Sequence, residues 1–345
     1  MSQSIAVVGC GQWGKNLVRN FAQLGALAAI CDPNPAALEA QAKLHPQART
    51  FSQFEDVITD ARIRAVVLAT PAPMHFNQAR QALIRGKDVM VEKPLALCYR
   101  EGKDLVTLAA KQRAVLMVGH VLEYHPAVAL LKDVIRRGDL GRVWYIYSNR
   151  LNLGKVRQEE NILWSFAPHD VSVITSLIGC EPTAVGAFGG SYLQSGIADV
   201  TVTNLAFPGD VRAHLFVSWL HPYKEQKLIV VGERRMAVFN DMTREGKLKI
   251  YDKGIEWRDG LPVPRQTGES TLFFEETEPL QIECRHFLKC VAERKQPLTD
   301  GFAGLRVLKV LAASQRSLER GGELVSLADL DKEEGSHPGG TGAQS

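Results

Sequence analysis

The first 120 residues alternate between short apolar runs and longer amphipathic stretches. Residues 5–9 (IAVVG), 26–32 (ALAAICD), the second half of 57–71 (VITDARIRAVVLATP), 88–94 (DVMVEKP) and 114–120 (AVLMVGH) read as strands. Apolar residues in them follow one another without alternation, as they do in a parallel sheet covered on both faces. Between these strands the period changes to that of a helix. Residues 15–25 put Leu17, Val18, Phe21 and Leu24 on one face and end on Gly25. Residues 35–45, 75–86 and 100–113 also read as helices. Strand alternating with helix predicts an α/β domain of doubly wound type over residues 1–121.

After residue 122 the pattern changes. Residues 125–141 are helical, and 142–152 (RVWYIYSNRLN) alternate as a half-buried strand does. Residues 198–220 hold two strands around Pro208-Gly209-Asp210, and 227–242 read as another hairpin. Residues 247–257 add a strand, 162–179 insert a helix, and 280–294 and 302–321 are late helices. Residues 122–328 are therefore expected to form an α+β domain on an antiparallel sheet. The polar, Gly-rich stretch 329–345 is expected to be a disordered tail.

Composition narrows the class. Hydrophobic residues make up 45% and charged residues 23% of 345, which is globular. A net charge of +3, with no basic-aromatic stripe, argues against a nucleic-acid partner. The apolar runs are too short for a membrane helix, and the first strand begins where a signal peptide would lie. The six cysteines form no CxxC pair and no zinc-like spacing with histidine. No metal is expected, and the reading is of reduced, mostly buried thiols in a cytoplasmic protein.

Gly9-Cys10-Gly11-Gln12-Trp13-Gly14 fits G-x-G-x-x-G between a strand and a helix, with Asp32 ending the next strand. In that context it is a dinucleotide-binding loop. Gly9 allows the turn, Gly11 the approach of a pyrophosphate, and Gly14 the packing of helix on strand. Gln12 and Trp13 complete the loop. Asp32 suits an adenine-ribose 2′-hydroxyl and repels a 2′-phosphate, so NAD is expected over NADP. Thr70 and Pro71, with His75 beyond them, follow the third strand. Glu92-Lys93-Pro94 follow a later strand on the same edge, where ligands of such sheets bind. A lysine there is placed to reach a nicotinamide and a substrate hydroxyl, and Pro94 fixes the turn. His169 lies in a helix, with Ser165 read as its N-cap and Pro168 in its first turn.

The glycine loop with Asp32, Thr70-Pro71, Glu92-Lys93-Pro94 and a histidine on a helix of an α+β domain together resemble the Gfo/Idh/MocA oxidoreductases. The resemblance covers residues 4–325. It implies a Rossmann NAD-binding domain and a C-terminal domain with a large, mostly antiparallel open sheet, through which such chains form homodimers or homotetramers. Residues 119–126, 150–154 and 163–170 are similar to enzymes that oxidise C3 of UDP-N-acetylglucosaminuronate in polysaccharide biosynthesis. That similarity implies substrate binding around residues 150–170. Lys93 and His169 are then the catalytic pair, with either as the base. Tyr124, His125, Arg150, Asn152, Arg157 and Ser165 are candidates for the substrate pocket. Many members carry Asp where this chain has Ser165. Dehydrogenation of a free sugar, inositol or polyol is the alternative. NAD-dependent glycosidase activity and a non-catalytic NAD-binding regulator are readings of another class.

Overall fold

A computed structural model describes residues 4–154, 156–158 and 160–335. Its strands are β1 (Ile5–Val8), β2 (Leu27–Cys31), β3 (Arg49–Phe51), β4 (Ala65–Leu68), β5 (Asp88–Glu92), β6 (Leu116–Gly119), β7 (Val143–Leu151), β8 (Ala184–Gly190), β9 (Val200–Ala206), β10 (Arg212–Ser218), β11 (Glu225–Gly232), β12 (Met236–Asn240), β13 (Leu248–Arg258), β14 (Leu261–Leu272) and β15 (Val325–Ser326). Its helices are α1 (Gly14–Gln23), α2 (Pro35–Leu44), α3 (Phe54–Thr59), α4 (Ala72–Ile84), α5 (Tyr99–Gln112), α6 (Pro126–Arg136), α7 (Ile162–Ile178), α8 (Pro279–Glu293), α9 (Gly301–Glu319) and α10 (Leu327–Gly335).

The chain divides into two compact units. One runs to His125 and includes Glu276–Leu308; the other holds Pro126–Glu275 and the chain from Lys309 onward. The first unit carries a parallel six-stranded sheet in the order β3-β2-β1-β4-β5-β6. Strands β1, β4, β5 and β6 are buried along their whole length, because helices cover both faces. The strand order reverses between β1 and β4, so the loops at Gly9 and Thr70 flank the crevice where such sheets bind ligands.

The expected boundary at residue 121 misses a return of the chain. Leu280, Cys284, Phe287 and Leu288 of α8 join the same core as Leu17, Val18 and Phe21 of α1. Phe287 meets Phe21 edge-to-face at 6.4 Å. Farther on, Val118 N–H donates to Thr299 O at 2.8 Å, and Thr299 Oγ1 donates to Val118 O at 2.7 Å. These bonds cover the β6 edge, which would otherwise present unpaired backbone.

The second unit carries a nine-stranded sheet, β14-β13-β12-β11-β7-β10-β9-β8-β15. Its pairs are antiparallel apart from β7 with β10, which is parallel. Helix α7 packs against β7, β9 and β10. Strands β3, β8 and β14 carry no sequence signal of the expected kind. β3 is a three-residue edge strand, β8 is Gly-rich, and β14 carries Pro262 and Pro264 on the outer edge, where a missing N–H is tolerated. The expected tail begins too early: Asp329 and the residues to Gly335 belong to α10, and 336–345 lie outside the described residues.

Candidate active site

In the first unit the glycine loop is built by backbone contacts. Gly9 has φ +92°, and a Cβ on it would lie 2.7 Å from Ala69 O. A Cβ on Gly14 would lie 1.8 Å from Gly9 O. Both positions exclude every other residue. Gly11 differs, because a Cβ there meets no atom of this chain within 4 Å. Its lack of a side chain serves an approach from outside the loop, as a pyrophosphate requires. Gln12 and Trp13 are exposed on the same loop. Asp32 is buried, and its carboxylate accepts Cys10 N–H at 2.6 Å and Asn34 N–H at 2.8 Å. A carboxylate has about four acceptor sites, so both bonds leave room for ribose hydroxyls. These residues fit a dinucleotide.

The next edge lies at the carboxyl ends of β4, β5 and β6. Thr70 Oγ1 donates to Gln78 Oε1 at 2.6 Å, and Pro71 precedes α4 as its cap residue. His75 is buried, with Nδ1 2.7 Å from Pro94 O and Nε2 2.9 Å from Thr70 O. It bridges the two turns, which hold both of its ring nitrogens within hydrogen-bond distance of their carbonyls. Burial, aided by the Lys93 charge, lowers its pKa against the pull of both carbonyls. Glu92 is buried and pairs in register with Gly119. Its Oε1 accepts the Trp13 indole N–H at 2.5 Å. The Glu-Lys-Pro turn is thus bonded directly to the glycine loop. Lys93 is half-buried, and the Lys93–Pro94 bond is cis.

His120 and Glu283 stand out only in the structure. His120, at the β6 end, is 1% exposed, and neither ring nitrogen has a hydrogen-bond partner among the described residues. Burial, with the Lys93 charge, depresses its pKa to about 3, so the ring is neutral. Glu283 is fully buried and equally unpartnered. A signal existed for it: it shares the helical face of Leu280, Cys284 and Phe287, where a charge is out of place. Tyr124, expected near substrate, is instead a core residue. Its hydroxyl lies 3.0 Å from Thr299 Oγ1, and its ring packs on His286. His125 is also buried.

In the second unit α7 starts before the expected cap. Asn161 Oδ1 accepts Trp164 N–H at 3.2 Å and caps the helix ahead of the expected Ser165. Ser165 is consequently buried inside the helix and Pro168 is interior, not in the first turn. His169 is half-buried in the second turn. The next residue, Asp170, is buried. Asp170 accepts Ser148 Oγ at 2.6 Å and Arg150 Nε at 2.6 Å, with Arg150 Nη2 at 3.2 Å. Arg150 is therefore spent on an internal fork, which opposes its use on a substrate carboxylate. Asn152 is half-buried just after β7, its N–H bonded to Ser218 O at 3.1 Å. Arg157 is exposed and pairs with Glu160 at 3.2 Å. His221 and His286 bond to nearby backbone and serve local structure.

Among the described residues no group of three His, Cys, Asp or Glu side chains could hold a metal ion. No described helix is long and apolar enough to cross a membrane. All six cysteines are free; Cys98 and Cys180 are exposed and the other four buried.

Comparison with known proteins agrees with this geometry. Residues 3–120 match the family model described as an oxidoreductase family with an NAD-binding Rossmann fold, and residues 128–238 match the GFO/IDH/MocA C-terminal domain. UDP-N-acetylglucosamine 3-dehydrogenase of Acidithiobacillus ferrooxidans is 27% identical over 88% of this chain and 93% of its own length. A structure of that enzyme superposes with a TM-score of 0.81, covering 93% of this chain and 99% of the other at 24% identity. The scyllo-inositol 2-dehydrogenase (NAD+) of Bacillus subtilis is 25% identical over 92% of this chain and 94% of its own length. The WlbA dehydrogenase of Bordetella pertussis, solved with NADH and UDP-GlcNAcA, has a TM-score of 0.77 at 24% identity, covering 94% of this chain and 99% of that one. The glycine loop, Asp32 and the Lys93 turn sit where an NAD-binding unit needs them, the two family models between them match more than half of the chain, and the chain belongs to the Gfo/Idh/MocA oxidoreductase family.

Proposed function

We propose that this protein is an NAD-dependent dehydrogenase that oxidises a secondary sugar hydroxyl to a ketone. C3 of a UDP-N-acetylglucosaminuronate-type nucleotide sugar is the substrate position we favour, in polysaccharide biosynthesis. The observation that carries the reading is the Lys93 turn, bonded through Glu92 to Trp13 of the dinucleotide loop at 2.5 Å. That bond ties an ammonium group to the loop that holds the cofactor. When bound, NAD supplies the hydride acceptor. Lys93 holds the reacting oxygen and stabilises the negative charge that develops on it. His169 accepts the hydroxyl proton. Asp170 holds Arg150 and Ser148 beside it, which stiffens the turn of α7 that carries the imidazole. Asn152 and Arg157 follow β7 and are the polar groups offered to a sugar and its phosphates. Asp32 favours NAD over NADP, because its carboxylate meets a 2′-hydroxyl well and a 2′-phosphate badly.

The sugar-nucleotide choice draws on the Acidithiobacillus relative, and the polyol alternative on the inositol dehydrogenase. We further place a homodimer or homotetramer contact on the sheet face opposite α7. There Tyr145 and Phe188 are exposed, and His214 stacks on Tyr147. The free thiols suit the cytoplasm.

Mass spectrometry of products tests the reading. The protein is incubated with NAD and a panel of UDP-sugars, free sugars and polyols, with and without 2-oxoglutarate to recycle a tightly held cofactor. Loss of two hydrogens from UDP-N-acetylglucosaminuronate alone supports the assignment. Loss from a polyol keeps the chemistry and moves the substrate. Release of a free sugar without net oxidation identifies a glycosidase, and no turnover of any panel member favours a regulator.

A further inference from the structure

Two carboxyls of the first unit, Glu92 and Glu283, are buried. Glu92 lies over β6: a Cβ on Gly119 would come within 2.9 Å of its Oε1 and 3.0 Å of its Oε2. Trp13 Nε1–H donates to Oε1, and Lys93 N–H donates to Oε2 at 3.3 Å. Glu283 is the second carboxyl. It projects from α8, which packs against α1 and the 121–124 turn. Neither of its oxygens is bonded to a described residue, and it is 0% exposed. Helix α1 and the 121–124 turn are the segments that follow Trp13 and Gly119, the two residues against Glu92, so α8 brings Glu283 to the Glu92 side of the sheet, where burial and the Glu92 charge raise its pKa.

Among the described residues no cation bonds to Glu283. Lys93 comes from the β5 end and acts on Glu92. His120, from the β6 end, is neutral. On α1, Lys15 is exposed, and Arg19 is bound in a fork by Glu278 at 2.6 and 3.0 Å. The 121–124 turn brings Glu123 and Tyr124, and α8 itself brings Cys284. Each of these is acidic or neutral. An ionised carboxylate without partner in such a place is far costlier than a protonated one, and two nearby carboxyls do not both ionise easily.

We propose that Glu92 and Glu283 bind one proton between them, with Glu283 keeping it, so that Glu92 carries the single negative charge that receives the Trp13 indole and faces Lys93. Glu283 is then a positioning residue. By staying neutral it leaves Glu92 ionised, and Glu92 in turn aligns the glycine loop and balances the Lys93 ammonium. Burial raises both carboxyls, Glu92 to about 7 even with the indole and Lys93 holding it back, and Glu283 well above the usual carboxylate range, with no described residue holding it back. The direction of the proton follows from that asymmetry. The catalytic consequence rests on the dehydrogenase reading; the proton itself does not.

The test is an infrared pH titration of the full chain without substrate. A carbonyl stretch of a protonated carboxylic acid is expected to persist in the wild type above pH 7, where Glu92 has ionised. Glu283→Gln, which keeps shape and neutrality, is expected to lose that band. Glu92→Gln is expected to retain it but to move its midpoint to lower pH by about one unit or more, since the neighbouring charge is gone. Absence of the band in the wild type, its survival in Glu283→Gln, or an unmoved midpoint in Glu92→Gln overturns the proposal. If either variant fails to fold, the wild-type titration still decides whether a neutral-pH proton is held. In turnover assays, Glu92→Gln is expected to shift the alkaline limb of the pH profile to lower pH, because Lys93 loses its counter-charge. An unshifted limb removes the link to Lys93. A panel without any oxidised substrate, beside an intact infrared result, refutes the dehydrogenase reading and leaves the carboxyl pair standing.

Discussion

Replacing Asp170 by Ala should be among the most damaging single changes in the second unit. Its side chain is 4% exposed and that of Arg150 is 12% exposed, with two N–H groups of the fork directed at it. Removal of the carboxylate strands a guanidinium in a place that water hardly reaches, and also frees Ser148 Oγ. Breaking one half of a buried pair costs about 3–5 kcal/mol. For a unit of this size each kcal/mol lowers Tm by about 2–4 °C, so a fall on the order of 10 °C is expected. Replacing both partners by apolar residues, Arg150→Met with Asp170→Leu, should recover most of that loss, because an apolar pair of similar volume needs no desolvated charge. Thermal and urea unfolding of the wild type, both single variants and the double variant gives the coupling energy directly. A loss below about 1 kcal/mol for Asp170→Ala refutes the internal fork. So does an Arg150→Met variant of wild-type stability whose KM for a nucleotide sugar rises sharply; that outcome would return Arg150 to the substrate.

Lys93→Met should lower turnover by about 10²–10⁴-fold while calorimetric NAD binding persists; near-normal turnover contradicts its role. Asp32→Ala should weaken NAD about 10–100-fold, as expected for loss of charge-assisted hydrogen bonds, and reduce discrimination against NADP, with an unchanged cofactor ratio as the opposing result. Tyr124→Phe removes the bond to Thr299 and should cost about 0.5–1.5 kcal/mol without altering KM, whereas an altered KM would return Tyr124 to the pocket. His120 falls from an ordinary 6.5 to about 3 by burial. The unfolded chain therefore binds a proton that the folded one refuses, and stability should drop as pH falls from 6.5 toward 3. His120→Gln should flatten that slope in urea titrations at pH 7 and pH 5, and an equal slope in both proteins disproves the burial argument.

Much of the first unit was legible because its signals are local. An unbroken apolar run is a buried parallel strand whatever surrounds it, and the G-x-G-x-x-G spacing of Gly9, Gly11 and Gly14 lies between one strand and the start of the next helix. The positions of Asp32 and Lys93 just past β2 and β5 were legible because each follows an unbroken apolar run. The antiparallel hairpin at Pro208-Gly209-Asp210 was legible from its turn chemistry, with Gly209 at φ 69°. In contrast, β3 and β14 owe their form to the strands they pair with, since β3 has no fully buried residue and β14 is largely exposed. No periodicity announces that α8 belongs with α1, more than 250 residues earlier; only the shared core of Leu17, Phe21, Cys284 and Phe287 decides it.

The site divides in the same way. Which residue types stand at the strand ends is a matter of sequence, but which of them are occupied by one another is a matter of folding. Arg150 reads as a free guanidinium until Asp170, twenty residues on, comes within 2.6 Å of it. Tyr124 reads as a pocket residue until Thr299 meets its hydroxyl. Glu92 reads as one residue of the turn at the ligand edge until Trp13 bonds to its carboxylate over Gly119. In each case the deciding partner is remote in the chain. Burial then gives an unpaired or paired polar group an energy that no local window of residues contains.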